Sequence, residues 1–570
     1  MRLAVLCLSL LPGLALAETT PMHHGVVFFC PQEPAEAVKE LERIKADGFD
    51  LLKFASWAWT LPKPGSPVEA RAQAVLDWCD RNGMAFVLLH NVQYGSKGEG
   101  GGLEDQALHP EQALPLVTDW ARVLAGHPSV LGVILGNEVG PAVGSPEKTP
   151  RWWSGFQGWL HAKYGDVATL NAAWGTDFAS FQEVRDPAQA QTAVDLRSYA
   201  GERFAQFYGY LFDHAFRPVL GEKLYGAKTS LDPFLQRACG AFTMTCWDDV
   251  VSEYPPWRLK LAADTVHKPV FNSELHLYHD NYAFRPSVER SRYRYFLSAI
   301  LGEYLTASFA WGQWQKPAIS TVHAATPGIL RDLRRLEPQL RQFHEADEQA
   351  DLRVLVTRAG YYGPWETEQR DHPLAVLCAR MSCLGKPWRY LVEDELATLS
   401  EGTLVCGPEP LSQPTAQALA SLPDRVRLLF TGSLPTSDDY GRPLPEPLLK
   451  RLAARSTVTT PENLPQVVGV APGLPEAYQR TGDVPYLQWD QQRGHFDTPE
   501  TICLLEARRV TTADRTLVCV INHTREPQTA PLPWAKGTLR DLTSGATLTP
   551  GQVASMTFSP LAINLYECDR

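Results

Sequence analysis

Two glutamates follow short apolar runs of the sequence, and together they suit the cleavage of a glycosidic bond. Glu138 stands after Asn137 at the end of the run Gly132-Val133-Ile134-Leu135, and Glu274 stands after a run that reaches Phe271. Glycoside cleavage needs one protonated carboxyl group that donates to the leaving oxygen, and one ionised carboxylate that attacks the anomeric carbon or activates water. The sequence predicts Glu138 as the acid/base and Glu274 as the nucleophile.

Further polar and aromatic residues follow the same kind of run. Asn137 can hydrogen-bond a sugar hydroxyl, and an indole ring offers a flat face to the C–H side of a sugar. Twelve of the 16 tryptophans precede residue 320, which favours a sugar site in that part of the chain, although core packing is their alternative role. The predicted substrate-binding residues are Asn137, Trp57, Trp59, His90, Asn91, Trp247, Trp311 and Trp314. Asp248 and Asp249 are interpreted as hydrogen-bonding residues at a strand end and as the next catalytic candidates.

Eight apolar runs alternate with amphipathic stretches over residues 18–348. Continuous apolar strands separated by helices are typical of a parallel sheet that is covered on both faces. Eight such units predict a (β/α)₈ TIM barrel, whose active site lies at the carboxyl ends of its strands. A doubly wound open sheet is the competing fold. The runs are 26–29, 51–54, 85–89, 132–135, 223–227, 242–245, 269–271 and 307–310.

The remaining chain predicts two smaller α/β and β regions. Residues 349–480 alternate strands and helices in a Rossmann-like (flavodoxin-like) pattern, but they contain no GxGxxG fingerprint for a nucleotide. Residues 481–570 change to short strands and turns, which predicts a small C-terminal β-sandwich.

Composition excludes several classes of protein. The net charge is −11 and no basic run occurs, so nucleic acid is not an expected partner. No CxxC pair occurs among the eleven cysteines, and we predict no metal and no cofactor. Cys239 with Cys246, or Cys378 with Cys383, could form disulfides, and buried thiols are the alternative.

The N-terminus has the pattern of a signal peptide. Arg2 precedes a short apolar run, and Ala15-Leu16-Ala17 is a small-residue cleavage site, so residues 1–17 are predicted to be removed on export. This predicts a secreted or periplasmic protein. No apolar stretch is long enough to span a bilayer.

One long segment resembles a known family. Residues 152–183 read WWSGFQGWLHAKYGDVATLNAAWGTDFASFQE, which is similar to the insertion after the acid/base strand in family 42 β-galactosidases. Asp249-Val250-Val251-Ser252 also resembles the sixth strand of that family. The resemblance implies a retaining clan A barrel glycosidase with catalytic glutamates on strands four and seven. It also implies a trimerisation domain at 349–480, a homotrimer, and a β-linked oligosaccharide or glycoside as substrate.

The sequence departs from the family around the predicted sugar pocket. Leu275-His276-Leu277-Tyr278 follows Glu274 where the family has glutamines and a proline, and Gly312 follows Trp311 where the family has an arginine. The family's cysteine zinc cluster cannot be assembled. From the resemblance, an exo-acting β-galactosidase is the first hypothesis. A β-mannosidase, a β-glucosidase or another β-glycosidase on the same scaffold is the second, and a noncatalytic carbohydrate-binding protein is the third.

Overall fold

The computed structural model describes most of the chain. It covers residues 22–57, 60–94, 102–185, 193–229, 232–249, 255–277, 287–311, 320–362, 372–490, 494–535 and 537–569. The predicted signal peptide, residues 1–17, lies outside these ranges. Among the described residues no helix is long and apolar enough to cross a membrane.

Eight parallel strands form the first part of the chain. Their bounds are β1 His23–Phe28, β2 Leu51–Trp57, β3 Ala85–Asn91, β4 Val130–Leu135, β5 Leu224–Gly226, β6 Thr245–Asp249, β7 Val270–Leu275 and β8 Glu303–Ser308. The hydrogen-bonded order is β5-β4-β3-β2-β1-β8-β7-β6. A single parallel bridge between Lys228 and Cys246 links the two ends of this order. The predicted barrel is therefore confirmed over the open-sheet alternative.

Two strands differ most from the predicted runs. The sixth strand begins at Thr245, so Phe242 belongs to the preceding turn, where it packs against Phe204 and Phe212. The eighth strand begins four residues before the predicted run, at Glu303. An apolar run alone cannot distinguish a strand from a buried turn, and a buried polar residue hides the start of a strand.

Helices cover the outside of the barrel. Their bounds are α1 Pro34–Ala46, α2 Pro67–Asn82, α3 Leu103–Leu108, α4 Pro115–Leu124, α5 Pro150–Tyr164, α6 Val167–Trp174, α7 Ala193–Leu211, α8 Arg217–Leu220, α9 Pro233–Ala238, α10 Pro256–Val266, α11 Val288–Ile300 and α12 Ser320–Glu348. Ser66 caps α2 by accepting from the Glu69 amide, and Gly83 ends it in the left-handed conformation. These caps end α2 where the chain must turn back to the barrel.

The barrel strands are buried on both sides. Val27, Leu51 and Phe271 belong to an inner cluster, whereas Val26 and Leu52 belong to the cluster between strands and helices. Successive side chains of a strand point to opposite faces, so each strand contributes to both layers. The barrel is a packed core whose chemistry is confined to its rim.

A second unit follows with a five-stranded parallel sheet in the order β10-β9-β11-β12-β13. Its strands are β9 Leu352–Val356, β10 Arg389–Val392, β11 Gly402–Cys406, β12 Val426–Thr431 and β13 Ser456–Thr459. Its helices are α13 Arg358–Tyr362, α14 Pro373–Ser382, α15 Gln413–Ala420, α16 Glu446–Arg455 and α17 Leu464–Val468. Phe234 and Trp257 of the barrel share a core cluster with this sheet.

The C-terminal strands are antiparallel. They are β14 Thr481–Asp490, β15 Gly494–Cys503, β16 Leu505–Thr511, β17 Arg515–Asn522, β18 Gln528–Ala530, β19 Leu539–Asp541, β20 Thr547–Leu548, β21 Met556–Phe558 and β22 Ile563–Asp569, with the short helix α18 Pro550–Ala554. They form a hairpin β14-β15, a sheet β16-β17-β22-β19-β20 and a pair β18-β21. The described cysteines of all three units are free thiols, so the two candidate disulfides are not formed in this structure.

Candidate active site

Glu274 lies at the carboxyl end of β7, where it is held by cations. Its Oε1 accepts hydrogen bonds from Lys53 Nζ at 2.9 Å and from Lys228 Nζ at 2.8 Å. His276 Nε2 lies 3.5 Å from Oε2. Both lysines are fully buried, and the Glu274 side chain is 8% exposed. A buried carboxylate is stable only when such partners compensate its desolvation.

These contacts determine the charge state of Glu274. Burial alone would raise its pKa, but the ammonium groups of Lys53 and Lys228 outweigh burial and hold the pKa of Glu274 well below its usual range. His276 acts in the same direction. An ionised carboxylate at neutral pH is the form that a nucleophile requires.

Glu138 follows β4 on a tight turn that gives it a different environment. Gly136 and Glu138 both have positive φ, at 79° and 53°. A positive φ is uncommon outside glycine and occurs preferentially at functional sites. The turn is fixed because Asn91 Oδ1 accepts from the Asn137 amide at 3.1 Å, and the backbone carbonyl oxygen of Lys228 accepts from the Val139 amide at 2.9 Å. The Glu138 side chain is 55% exposed, which leaves its carboxyl group open to a ligand.

Lys228 joins the two glutamates. Its ammonium group donates to Glu138 Oε1 at 3.4 Å, to Glu274 Oε1 at 2.8 Å and to Asn137 Oδ1 at 2.9 Å. Two atoms that contact the same nitrogen cannot be farther apart than the two contacts together. The Oε1 atoms of Glu138 and Glu274 therefore lie within about 6.2 Å of each other, below the ~6.5–9.5 Å typical of inverting glycosidases.

Two predicted ligands have supporting roles. Asn91 is almost fully buried and holds the turn that carries Glu138. His90 points away from the rim, where its ring nitrogens contact Ser56 Oγ at 3.3 Å and the Leu116 carbonyl at 2.9 Å. Burial lowers the pKa of His90 to about 4, so its imidazole is neutral at physiological pH. His90 is thus packed in the core of this structure, and its role as a sugar ligand stays a prediction.

The predicted tryptophans separate into three groups. Trp57 at the end of β2 is 36% exposed. Trp247 has no exposed surface, because it lies within β6 and packs in the core between strands and helices. Trp311 is 6% exposed, and its Nε1 donates to Glu40 of α1 at 2.7 Å. Both rings are thus buried in this structure, and their role as sugar ligands stays a prediction. Trp59 and Trp314 lie outside the described residues.

The sequence reading missed three residues that contact the nucleophile. Lys53 stands inside the apolar run Leu51–Phe54, where a buried charge is rare unless it is paired. Lys228 follows the fifth run directly, so inspection of every strand end would have found it. His276 stands where the sequence departs from the family, and its ring stacks on Phe309 at 4.4 Å.

Known proteins match part of this sequence. The model of the family Beta-galactosidase, glycoside hydrolase 42, matches residues 105–208, which include Glu138. A β-galactosidase from Thermus thermophilus is 28% identical over an alignment of 193 residues. The alignment covers 29% of this chain and 30% of that protein. β-Galactosidase BgaA from a Thermus species gives the same identity and coverage. The match thus spans less than a third of each relative's length.

Solved structures resemble nearly the whole fold. An exo-carrageenase of family 42 from Bacteroides ovatus superposes with a TM-score of 0.67 and 16% identity, covering 96% of this chain and 82% of that chain. A β-galactosidase from Bacillus circulans sp. alkalophilus also gives 0.67, at 12% identity, with 96% and 99% coverage. At such identities the likeness concerns the fold.

Proposed function

We propose that this chain is a divergent member of glycoside hydrolase family 42, and that it is a retaining, exo-acting β-glycosidase whose first substrate class is β-galactosides. The observation that carries the proposal is the pair of carboxylates that share the ammonium group of Lys228. A separation below about 6.2 Å leaves too little room for the water that an inverting enzyme holds between its carboxyl groups. Direct attack by Glu274 is then the step that the geometry favours.

The first half-reaction uses both glutamates. Glu274 attacks the anomeric carbon through the oxygen that the lysines leave free, while Glu138 transfers its proton to the glycosidic oxygen. The bond to the leaving group breaks as the bond to Glu274 forms. Lys53 and Lys228 keep Glu274 ionised beforehand.

The second half-reaction reverses these roles. Glu138, now a carboxylate, removes a proton from water, and the hydroxide attacks the anomeric carbon of the glycosyl–enzyme. Glu274 leaves as a carboxylate, which the two ammonium groups stabilise. Net retention of configuration follows from two inversions. The route requires no metal and no organic cofactor, and we expect none.

The substrate class is tested with a panel of nitrophenyl β-glycosides. We expect hydrolysis of the galactoside, and proton NMR of the first product should detect the β-anomer. Preference for the mannoside or the glucoside would change the assigned sugar and leave the proposed mechanism unchanged. This is the second candidate, because the sequence departs from the family's pattern at Leu275 and His276. Release of the α-anomer would refute retention. A noncatalytic binding protein would hydrolyse no member of the panel.

The proposal extends to location and assembly. The segment 1–17 has the pattern of an export signal, so we propose a secreted or periplasmic enzyme. The unit that contains β9–β13 carries no nucleotide fingerprint, and resemblance to the family supports a role for it in a homotrimer.

A further inference from the structure

A cavity lies between the barrel and the parallel sheet unit, apart from the two glutamates. Its volume is about 730 Å³, within the range of pockets that hold small ligands. Trp159 of α5, Arg197 of α7 and Asp232 line it from the barrel side. Tyr362 of α13 and Tyr440 line it from the other side. The mechanism above does not use this cavity.

The cavity is close to the acid/base residue. Pro141, which lines it, is three residues after Glu138, and consecutive Cα atoms are 3.8 Å apart, so the two Cα atoms lie within about 11 Å. Asp232, on the same wall, is four residues after Lys228. In a glycosidase the acid/base residue faces the leaving group. Pro141 therefore places one end of the cavity near the residue that faces the leaving group.

Its aromatic side chains are held in fixed positions. Trp159 Nε1 donates to Glu202 Oε2 at 2.9 Å, and Tyr362 Oη donates to Asp232 Oδ2 at 3.0 Å. A sugar ring presents apolar C–H faces and hydroxyl groups, and this lining offers aromatic surface next to charged acceptors and donors. The chemistry of the wall thus matches that of an oligosaccharide.

Asp439 is the residue on this wall that folding does not explain. Its neighbour Asp438 accepts from Arg442 Nε at 2.8 Å, whereas no other described residue donates to the side chain of Asp439. Burial and the charge of Asp438 raise the pKa of Asp439 to about 6. An ionised, partly desolvated carboxylate without a partner opposes folding at neutral pH. A ligand that donates hydroxyl protons would supply hydrogen bonds to this carboxylate.

We propose that this cavity binds the leaving-group portion of a β-linked oligosaccharide, with Asp439 accepting from its hydroxyl groups. The inference rests on the proposed function and specifies it: the substrate is a chain of several sugars and not a simple disaccharide. One wall of the cavity belongs to the parallel sheet unit, which thereby takes part in selecting the substrate.

The test compares chain lengths in two variants. kcat/KM is measured on a nitrophenyl glycoside and on β-linked oligosaccharides of two to five units of the sugar that the panel selects. In the wild type, kcat/KM should rise with the number of sugar units in the oligosaccharide. Asp439→Ala should lower it about tenfold on the longer chains and leave the nitrophenyl glycoside unchanged. Its melting temperature should stay the same or rise. Asp424→Ala, at an exposed acid outside the cavity, is the matched control.

Three results would overturn the assignment in distinguishable ways. Hydrolysis of the nitrophenyl glycoside without dependence on chain length would remove the cavity's role and leave the proposed function intact. An Asp439→Ala variant with altered sedimentation and an unaltered length profile would show that the cavity receives another subunit. Absence of hydrolysis on every glycoside would refute the proposed function, and the leaving-group assignment with it.

Discussion

At the scale of single residues, the site depends on one shared cation. Lys228 contacts Asn137, Glu138 and Glu274, so a single ammonium group offsets the repulsion between two carboxylates at close range. Lys53 contacts Glu274 and the Ser273 carbonyl, and among the described residues its ammonium group makes no contact with Glu138. The two lysines therefore have different roles, and each glutamate can be tested separately.

The roles of the two glutamates predict an asymmetry. Glu138→Ala removes the proton donor but keeps the nucleophile, so a dinitrophenyl glycoside, with its good leaving group, should still glycosylate Glu274. Added azide should then restore turnover, because azide can attack the glycosyl–enzyme in place of water and needs no general base. Glu274→Ala removes the covalent step, and a better leaving group should not help. Both variants are assayed on this substrate with and without azide.

The opposite pattern would contradict the assignment. If Glu138→Ala is inactive and insensitive to azide while Glu274→Ala retains activity, the catalytic residues lie elsewhere. Asp248 and Asp249 of β6, whose side chains lie outside the described part of the structure, would be examined next.

The pH dependence should respond to Lys228. The depressed pKa of Glu274 means that the nucleophile stays ionised as the pH falls, until the pH passes that lowered value. Lys228→Met removes one of the cations that depress it, so the acid limb of kcat/KM should move to higher pH. The rate at neutral pH should fall about a hundredfold, the usual effect of losing one such donor. The pH profile on the dinitrophenyl glycoside measures both effects, and an unmoved acid limb would argue against the electrostatic role.

At the scale of elements, close contact between barrel strands depends on small residues. A Cβ atom on Gly25 of β1 would lie 2.3 Å from the Leu51 carbonyl oxygen of β2, and one on Gly132 of β4 would lie 2.5 Å from that of Leu224 of β5. Both collisions involve backbone, which cannot rotate away as a side chain can. These glycines fix the spacing of strands that carry Lys53 and Glu138.

A glycine substitution tests this contact. Gly25→Ala should lower the free energy of unfolding by about 3 kcal/mol, since the strands must separate to admit the methyl group. Gly158→Ala is the control, because Gly158 is an exposed position of α5 with open space around its Cβ, where alanine should stabilise by up to about 1 kcal/mol. Urea unfolding compares the two variants. Equal effects would mean that the tight contact in β1 is easily relieved.

At the scale of the whole molecule, buried ion pairs connect the three units. Lys260 of α10 contacts Asp347 of α12 at 2.7 Å, and Arg508 of β16 contacts the same carboxylate at 3.0 Å. Asp264 accepts from the Tyr390 amide of β10 at 2.9 Å. Removing one partner from such a network leaves a buried charge uncompensated. The parallel sheet unit and the C-terminal strands are therefore expected to unfold together with the barrel.

The assembly prediction belongs to the same scale. If the parallel sheet unit provides subunit contacts, sedimentation velocity should give a trimer at micromolar concentration. The matched experiment repeats the run over a hundredfold dilution range, where a stable interface keeps its sedimentation coefficient. A monomer throughout would refute the role of that unit in assembly.

Much of the architecture could be predicted because periodicity is local. The alternation of apolar runs and helices predicted eight parallel strands over residues 18–348, and the structure has eight there. The order of strands around a barrel then brings the ends of β4 and β7 to one rim. The pairing of Glu138 with Glu274 followed from that rule and from the residue types.

What only the tertiary structure decided is where each side chain points. Trp247 and His90 follow the apolar runs as the glutamates do, yet their side chains lie on the helix-facing side of β6 and β3, because successive residues of a strand point to opposite faces. Trp311 lies beyond the end of β8, where its ring contacts α1. Lys53 and Lys228 are 175 residues apart in the sequence and meet on one oxygen. Contacts of this kind exist only after the barrel closes, so local sequence can identify the reacting groups but not the charges that control them.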